Sequence, residues 1–288
     1  MKRILILGAT GMIGHTLYRY LKETGKYEVF GTIREYPDNN IDLFTNEYII
    51  DGFDIIDSEV ELEYPFWYFE PNIVINCIGI TKQIDSSIPD MIEVNALFPH
   101  KLANICSRYN ARLIHLSTDC VFSGKDGNYY EGFLNDAIDN YGKTKSLGEV
   151  IYPNCITIRK SVIGHELKGY YGLLEWFLHS EEWVNGYWNA FFNGMTTLEL
   201  AKVIDKYIIP NEKLQGIYHV AGETISKRDL LSMIKEIYNK EIDVVPFNTN
   251  YIDRTLNFDK FKKETGYSPS TWRKMIQEMY DYNKGENN

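Results

Sequence analysis

Cysteine is scarce in this 288-residue chain, with four residues and neither a CxxC pair nor a histidine at metal-ligand spacing. Cys77, Cys106, Cys120 and Cys155 are too scattered for a zinc site or a disulfide framework, and Cys77, Cys106 and Cys155 read as small hydrophobes on strands. Long apolar runs are missing as well. A run such as IVINCIGI, 73–80, falls far short of the ~20 residues a membrane helix needs, and the N-terminus carries no signal-peptide pattern. A cytoplasmic protein with no membrane contact is the expectation. Positive charge is short too: 30 Lys and Arg against 40 Asp and Glu leave a formal net charge of −10, which speaks against nucleic-acid binding. An anionic ligand must then be held by local groups. There is no internal repeat and no low-complexity linker, and only the terminal KGENN reads as frayed.

What is present alternates. KRILIL, GATGMIG, HTLYRYLKETG and YEVFGTI read as strand, turn, helix and strand, a βαβ unit within the first 35 residues. The alternation continues through a strand over 72–78, a helix over 90–109 that Pro99 should kink, a strand over 112–117, a helix from Tyr141 and a strand over 155–160. Nearly continuous apolar strands separated by helices predict an α/β fold, a Rossmann-type doubly wound parallel sheet. After Lys160 the pattern becomes aromatic and glycine-punctuated, which suits a smaller C-terminal α/β substrate lobe. The predicted division gives residues 1–160 and about 190–220 to the dinucleotide-binding body, and about 161–189 and 221–288 to the lobe.

The turn GATGMIG follows a strand directly and opens a helix. Without a Cβ at Gly8, Gly11 and Gly14 the backbone can approach a pyrophosphate, and the helix N-terminus offers unpaired N–H groups. A tight turn that merely lets helix pack on strand is the alternative. The second strand ends in GTIRE, where a dinucleotide fold selects its ribose partner; Arg34 suggests a 2′-phosphate and hence NADPH in preference to NADH, although Glu35 beside it leaves a plain surface arginine open. Asp54, with Ile55 next to it, is a candidate for the adenine.

The strand RLIHL emerges on Ser117, Thr118 and Asp119, at the carboxyl edge where open α/β sheets bind ligands. Some twenty residues later, NYGKTKSLGE puts Tyr141 and Lys145 four apart on one helix face. An ammonium beside a phenol is expected to lower the phenol pKa and let it exchange a proton with a substrate oxygen, to which Thr118 can donate.

Together GATGMIG, NCIGI, VNALFPHKLA, STDCVFSGKDGNYYE and YGKTKSLGE resemble, in order over the first 150 residues, the extended short-chain dehydrogenase/reductases and within them the dTDP-4-dehydrorhamnose reductases. The resemblance implies an oxidoreductase that delivers hydride from NAD(P)H to the C4 ketone of a dTDP- or UDP-linked 4-keto-6-deoxyhexose, in deoxysugar and surface glycan biosynthesis. Thr118, Tyr141 and Lys145 would be its catalytic set. The turn residues Gly8, Thr10, Gly11, Met12, Ile13 and Gly14 would hold the cofactor, with Cys77, Ile78, Gly79, Asn95, Ser117, Ser161 and Val162 lining it further along. Lys82, Cys120, Lys160, Trp188 and Asn189 are the candidates for the sugar nucleotide, Lys82 and Lys160 being equally readable as surface residues. No metal is implied, and a homodimer is an assembly the resemblance allows.

Two departures matter. Dehydratases that resemble this chain carry Asp-Glu after the threonine, where here stands Asp119-Cys120, so 4,6-dehydration is not expected. The reductases usually carry tyrosine at the Cys120 position, and that contact is missing. A cysteine there occurs in bifunctional epimerase-reductases, with His165 and His179 as partners by sequence proximity; a small pocket residue is the other reading. A non-catalytic NADP-binding regulatory subunit, of the kind that partners methionine adenosyltransferase, also resembles these motifs. In the lobe, Trp176 and Phe177 read as core, while NGYWNAFFNG is ambiguous between core and ligand stacking.

Overall fold

The computed structural model describes residues 1–37, 41–45, 47–57, 60–248 and 251–284. Of the tail expected to fray, residues 285–288 lie outside the described residues. In chain order come β1 (Lys2–Leu7), α1 (Met12–Glu23), β2 (Tyr27–Thr32), β3 (Ile49–Ile50), α2 (Tyr64–Phe69), β4 (Ile73–Asn76), α3 (Ile88–Met91), α4 (Phe98–Arg108), β5 (Arg112–Leu116), α5 (Asn140–Leu147) and β6 (Cys155–Arg159). They are followed by β7 (Val162–Ile163), α6 (Leu173–His179), β8 (Trp183–Tyr187), β9 (Ala190–Phe192), β10 (Met195–Thr196), α7 (Thr197–Val203), β11 (Gly216–His219), β12 (Ile225–Ser226), α8 (Lys227–Tyr238), β13 (Asp243–Phe247), β14 (Ile252–Asp253), α9 (Asp259–Thr265) and α10 (Trp272–Lys284).

Seven strands form one parallel sheet in the order β11-β6-β5-β4-β1-β2-β3. Because successive side chains on a strand point to opposite faces, Ile4 and Ile6 join the core under α1 and α7, while Leu5 and Leu7 join the core under α2 and α4. Both faces are therefore covered, which is why these strands carry apolar residues without alternation. Strand order reverses between β1 and β4, and the residues leaving the carboxyl ends of β1, β4, β5 and β6 line up along one edge.

The helix expected over 90–109 is drawn out differently. α3 and α4 are joined by a π turn over Ile92–Leu97, closed by a hydrogen bond from Phe98 N to Glu93 O, and Pro99 sits in the first turn of α4. Proline has no N–H to give the carbonyl of Asn95, and the chain accommodates this by a wide turn rather than a kink. Gly148 packs against that same carbonyl so closely that a Cβ on it would lie 1.9 Å from Asn95 O.

Beyond β6 the smaller sheets take over. β8 pairs with β13, and β9 pairs with β12 and β14. Ala190–Phe192, expected to return to the main body, thus pair outside the seven-stranded sheet; the returning pieces are α7, which packs on α1, and β11 on the sheet edge. Phe177, Val184, Phe192 and Leu230 belong to the same buried cluster as Ile156 and Ile158, so the lobe grows from the core of the body. Phe177 is core as expected, whereas Trp176 is 42% exposed, on the outer face of the short helix α6. Cys106 is buried on α4 rather than on a strand.

Candidate active site

The glycine turn between β1 and α1 is built for close approach. Gly8 has φ +77°, and a Cβ on Gly14 would lie 2.0 Å from Gly8 O. Gly11 N donates to Gly8 O at 3.1 Å, and Gly11 caps α1 without any side-chain hydrogen bond. The N–H groups of the first turn of α1 are left for a ligand, with Thr10, Met12 and Ile13 half-buried around them. Gly8 and Gly14 admit no side chain, whereas a Cβ on Gly11 would make only ordinary contact with Gly8 O at 3.4 Å; the bare backbone of this cradle fits the phosphates of a dinucleotide.

Arg34 and Asp54 stand on the rim beyond β2, 4.0 Å apart and with side chains 70% and 40% exposed. Glu35, whose negative charge argues against a 2′-phosphate nearby, pairs with Lys168 at 2.5 Å. Ile55 packs at the edge of the core under α2. After β4, Cys77 and Ile78 are half-buried and Gly79 is exposed. Burial pushes the Cys77 thiol up to about 12, so it behaves as a small apolar wall.

At the end of β5 the chain turns sharply. Thr118, 5% exposed, accepts from Cys120 N at 3.1 Å and donates to Asp119 Oδ1 at 3.1 Å. The Tyr141 phenol faces the Thr118 hydroxyl. Asp139 caps α5 through Gly142 N at 2.7 Å, and Gly142 lies so near Cys120 O that only glycine fits there. One turn after Tyr141, the Lys145 ammonium donates to Leu116 O at 2.8 Å, and a Cβ on Gly79 would be 3.9 Å from it. Thr118, Tyr141 and Lys145 are thus drawn together between β4 and β5, beside the glycine cradle.

The charges in this site differ from expectation in one respect. The Tyr141 phenol is pushed up, not down: burial dominates, Cys120 adds to it, and the Thr118 hydroxyl opposes it only in part. Desolvation decides the shift, and the phenol is held in its neutral, proton-donating form. Lys145 is lowered to about 7, by burial first and then by repulsion from Lys160, with Glu149 opposing. Lys160, 8% exposed, is also lowered by burial, with Asp119 opposing. Cys120, half-buried, is pushed up to about 11 by burial and by Asp119, against the pull of Arg254 and Lys82.

His165 and His179 do not supply a partner for Cys120. His165 hydrogen-bonds Glu175 at 2.5 Å and Tyr238 at 2.8 Å, and His179 stacks on Tyr170 and bonds the carbonyl of Glu175. Two expected cofactor contacts are committed to the protein. Asn95 is fully buried, with its amide oxygen accepting from Ile80 N at 2.9 Å and its nitrogen donating to Ile80 O at 2.8 Å, and so acts on the loop after β4. Ser117 is fully buried and donates to Glu149 Oε1 at 2.7 Å. Asn189, 7% exposed, is likewise used on Asn248 at 2.7 Å, while Trp188 is 49% exposed. Ser161 and Val162 are half-buried where β6 passes into β7, and Lys82 is exposed on the loop after β4.

Sequence reasoning missed the pair beneath the site. Arg159, the last residue of β6, meets Glu149 at 2.7 and 2.6 Å in a bidentate ion pair whose side chains are 3% and 4% exposed. Asn135 donates to Glu149 and accepts from Arg159. Glu149 was visible within YGKTKSLGE and Arg159 within CITIRK, but nothing in either stretch says that they meet.

Comparison with known proteins gives the family and the fold. The sequence pattern that defines the RmlD substrate binding domain family matches residues 1–284. A dTDP-4-dehydrorhamnose reductase of Aggregatibacter actinomycetemcomitans is 27% identical over 98% of this chain and 99% of its own length. The methionine adenosyltransferase 2 subunit beta of Rattus norvegicus is 28% identical over 51% of this chain and 42% of its own. Among solved structures, a dTDP-4-dehydrorhamnose reductase of Bacillus anthracis in complex with NADP superposes with a TM-score of 0.79, at 20% identity, over 98% of this chain and all of that one.

Removing one partner of a buried ion pair leaves an uncompensated charge, at a cost of about 3–5 kcal/mol. Glu149→Gln is therefore expected to lose that much in urea unfolding, and the double variant Glu149→Gln/Arg159→Met to recover part of it. A single-variant loss under about 1 kcal/mol would remove the pair from its supporting role.

Proposed function

Because the chain belongs to the RmlD substrate binding domain family, we propose that it is an NADPH-dependent reductase of a nucleotide-linked 4-keto-6-deoxyhexose, working in the cytoplasm in deoxysugar and surface glycan biosynthesis. The observation that carries this reading is the meeting of Thr118, Tyr141 and Lys145 at the carboxyl edge of the sheet, next to a cradle that excludes side chains. NADPH supplies the hydride when bound, and the protein supplies position and a proton. The Thr118 hydroxyl binds the ketone oxygen, and the neutral Tyr141 phenol protonates that oxygen as it gains charge. Lys145 holds the nicotinamide ribose and offers a positive charge beside the phenol. The preference for the 2′-phosphate rests on Arg34 together with Lys168, which offsets Glu35. Cys120 is a pocket residue: a thiol pushed up to about 11 is protonated at neutral pH and is a poor base for epimerisation.

An exposed apolar band supports a homodimer in the same reading. Leu97 on the π turn, Leu147 on α5 packed beside it and Ile151 just past α5 are 43%, 67% and 67% exposed. Light scattering at micromolar concentration is expected to give a dimer that Leu147→Asp converts to a monomer; a monomeric wild type would exclude it.

NADPH oxidation with dTDP-, UDP- and GDP-linked 4-ketosugars tests the activity. Tyr141→Phe is expected to lower kcat by about 10²–10⁴-fold, the usual weight of a general acid, with NADPH affinity unchanged. Full activity in that variant would remove Tyr141 from its role. NADPH stabilisation without turnover of any ketosugar would favour the regulatory-subunit reading.

The pH dependence follows from Lys145. Its folded value of about 7 lies below the ordinary 10.5, so the burial cost of its charge is present in full below pH 7 and is relieved as pH rises from 7 toward 10.5. In the folded protein the ammonium itself is lost as pH passes about 7. In the free enzyme, kcat/KM is accordingly expected to fall above about pH 7, and a flat profile to pH 9 would contradict an essential ammonium.

A further inference from the structure

Between β7 and α6 the chain makes a closed loop. Its root is tied down: Gly164 sits so near Thr197 that a Cβ would lie 2.4 Å from it, and His165 is held by Glu175 at 2.5 Å and Tyr238 at 2.8 Å. Leu167 packs against the large core. Glu166 then reaches forward to accept from Gly172 N at 2.7 Å, which fastens the two ends of the loop 167–171 to each other. Within it Gly169 has φ +81°, a conformation that favours glycine, and Lys168, Tyr170 and Tyr171 are exposed.

Two contacts carry this loop to the dinucleotide edge of the body. Gly172 lies beside Met12, the first residue of α1, where a Cβ would be 3.3 Å from Met12 Sδ. Lys168 meets Glu35, just past β2, at 2.5 Å. These two points bracket the stretch between the cradle, which fits a diphosphate, and the strand end where a dinucleotide fold selects its ribose partner. The loop therefore spans the adenosine half of the site. Swinging the whole lobe away is the harder route for admitting a ligand there, because the strand 252–257 of the lobe is laced to the loop after β5. Asp253 N donates to Gly124 O at 2.7 Å, Tyr129 N to Thr255 O at 2.9 Å and Asn257 N to Tyr129 O at 2.7 Å. The loop 167–171, by contrast, is fastened at its outer end by an ion pair whose side chains are 70% and 69% exposed.

We propose that residues 166–172 form a strap across the cofactor site, latched by Lys168 and Glu35, and that a dinucleotide enters and leaves by opening of this strap while the lobe stays in place. The proposal rests on the dinucleotide-dependent reading and adds a gate to it. A gate acts on rates. The latch must break for entry and again for release, so weakening it speeds both and leaves the affinity nearly unchanged. Recognition of a 2′-phosphate by the same charges acts differently, on the affinity for NADPH alone. Comparing cofactors with and without that phosphate separates the two.

Stopped-flow fluorescence of NADH and NADPH binding to the full-length protein tests this, together with hydrogen exchange at the Gly172 amide, which the closed strap protects. Glu35→Gln is expected to raise the association and dissociation rates of NADH together by about two- to fivefold, the weight of an exposed ion pair, and to speed Gly172 exchange. Glu166→Ala, which frees the ends of the loop without touching the latch charges, is expected to raise the same two rates at least as much. Salt at about 0.5 M is expected to speed NADH release from the wild type and to have less effect on Glu35→Gln, where no latch is left to screen. NADH rates unchanged in both variants, or a Glu35→Gln effect confined to the affinity for NADPH, would overturn the proposal. A wild type that binds neither cofactor would overturn the reductase reading and the strap with it. The expected rate changes in a protein that turns over no ketosugar would support the strap and refute the reductase reading alone.

Discussion

A buried ammonium is the costliest group in this site, and much of the surrounding structure serves to keep it in place. Lys145 is 4% exposed and within reach of a second buried ammonium, Lys160. Taking a charge out of water costs several kcal/mol unless other groups compensate. Two do: the carbonyl of Leu116 at the end of β5, which accepts its hydrogen bond, and the carboxylate of Glu149, which opposes its loss of charge. Glu149 can stay ionised there because Arg159 grips it in two hydrogen bonds. The chain of support thus runs from the end of β6 through Glu149 to the helix carrying Tyr141 and Lys145.

The sheet makes that arrangement available. Parallel strands put all their carboxyl ends on one edge, so β1 delivers the glycine turn, β4 the Cys77–Gly79 segment, β5 Thr118 and β6 Lys160 to the same crevice. α5 then needs only its Asp139 cap and the close seat of Gly142 on Cys120 to bring Tyr141 against Thr118. Burial also sets the direction of the proton chemistry, since a neutral phenol is suited to protonating an alkoxide.

Local features were legible in the sequence and distant pairings were not. The glycine turn announces itself because three glycines between a strand and a helix have few other uses, and Tyr141 and Lys145 because four residues make one helical turn. Arg159 and Glu149 stand in plain view, but their pairing depends on where β6 lies relative to the end of α5, which periodicity does not report. Tyr141 was misjudged because a neighbour's charge can be read from spacing, whereas depth of burial, the larger effect here, cannot. Asn95 and Ser117 were assigned to the cofactor by position along the motif, but their side chains turned out to hold the loops that form the site. Pro99 signalled a disruption correctly, and the chain met it with a wide turn.

The central claim is that the trio beside the glycine cradle directs a hydride to a sugar ketone. Mass spectrometry of the product formed from 4-deuterated NADPH and a dTDP-4-keto-6-deoxyhexose tests it most directly. One deuterium, carried at C4 of the sugar, is the predicted result. Product without the label, or a protein that binds the cofactor and leaves every such ketosugar unchanged, would contradict the account.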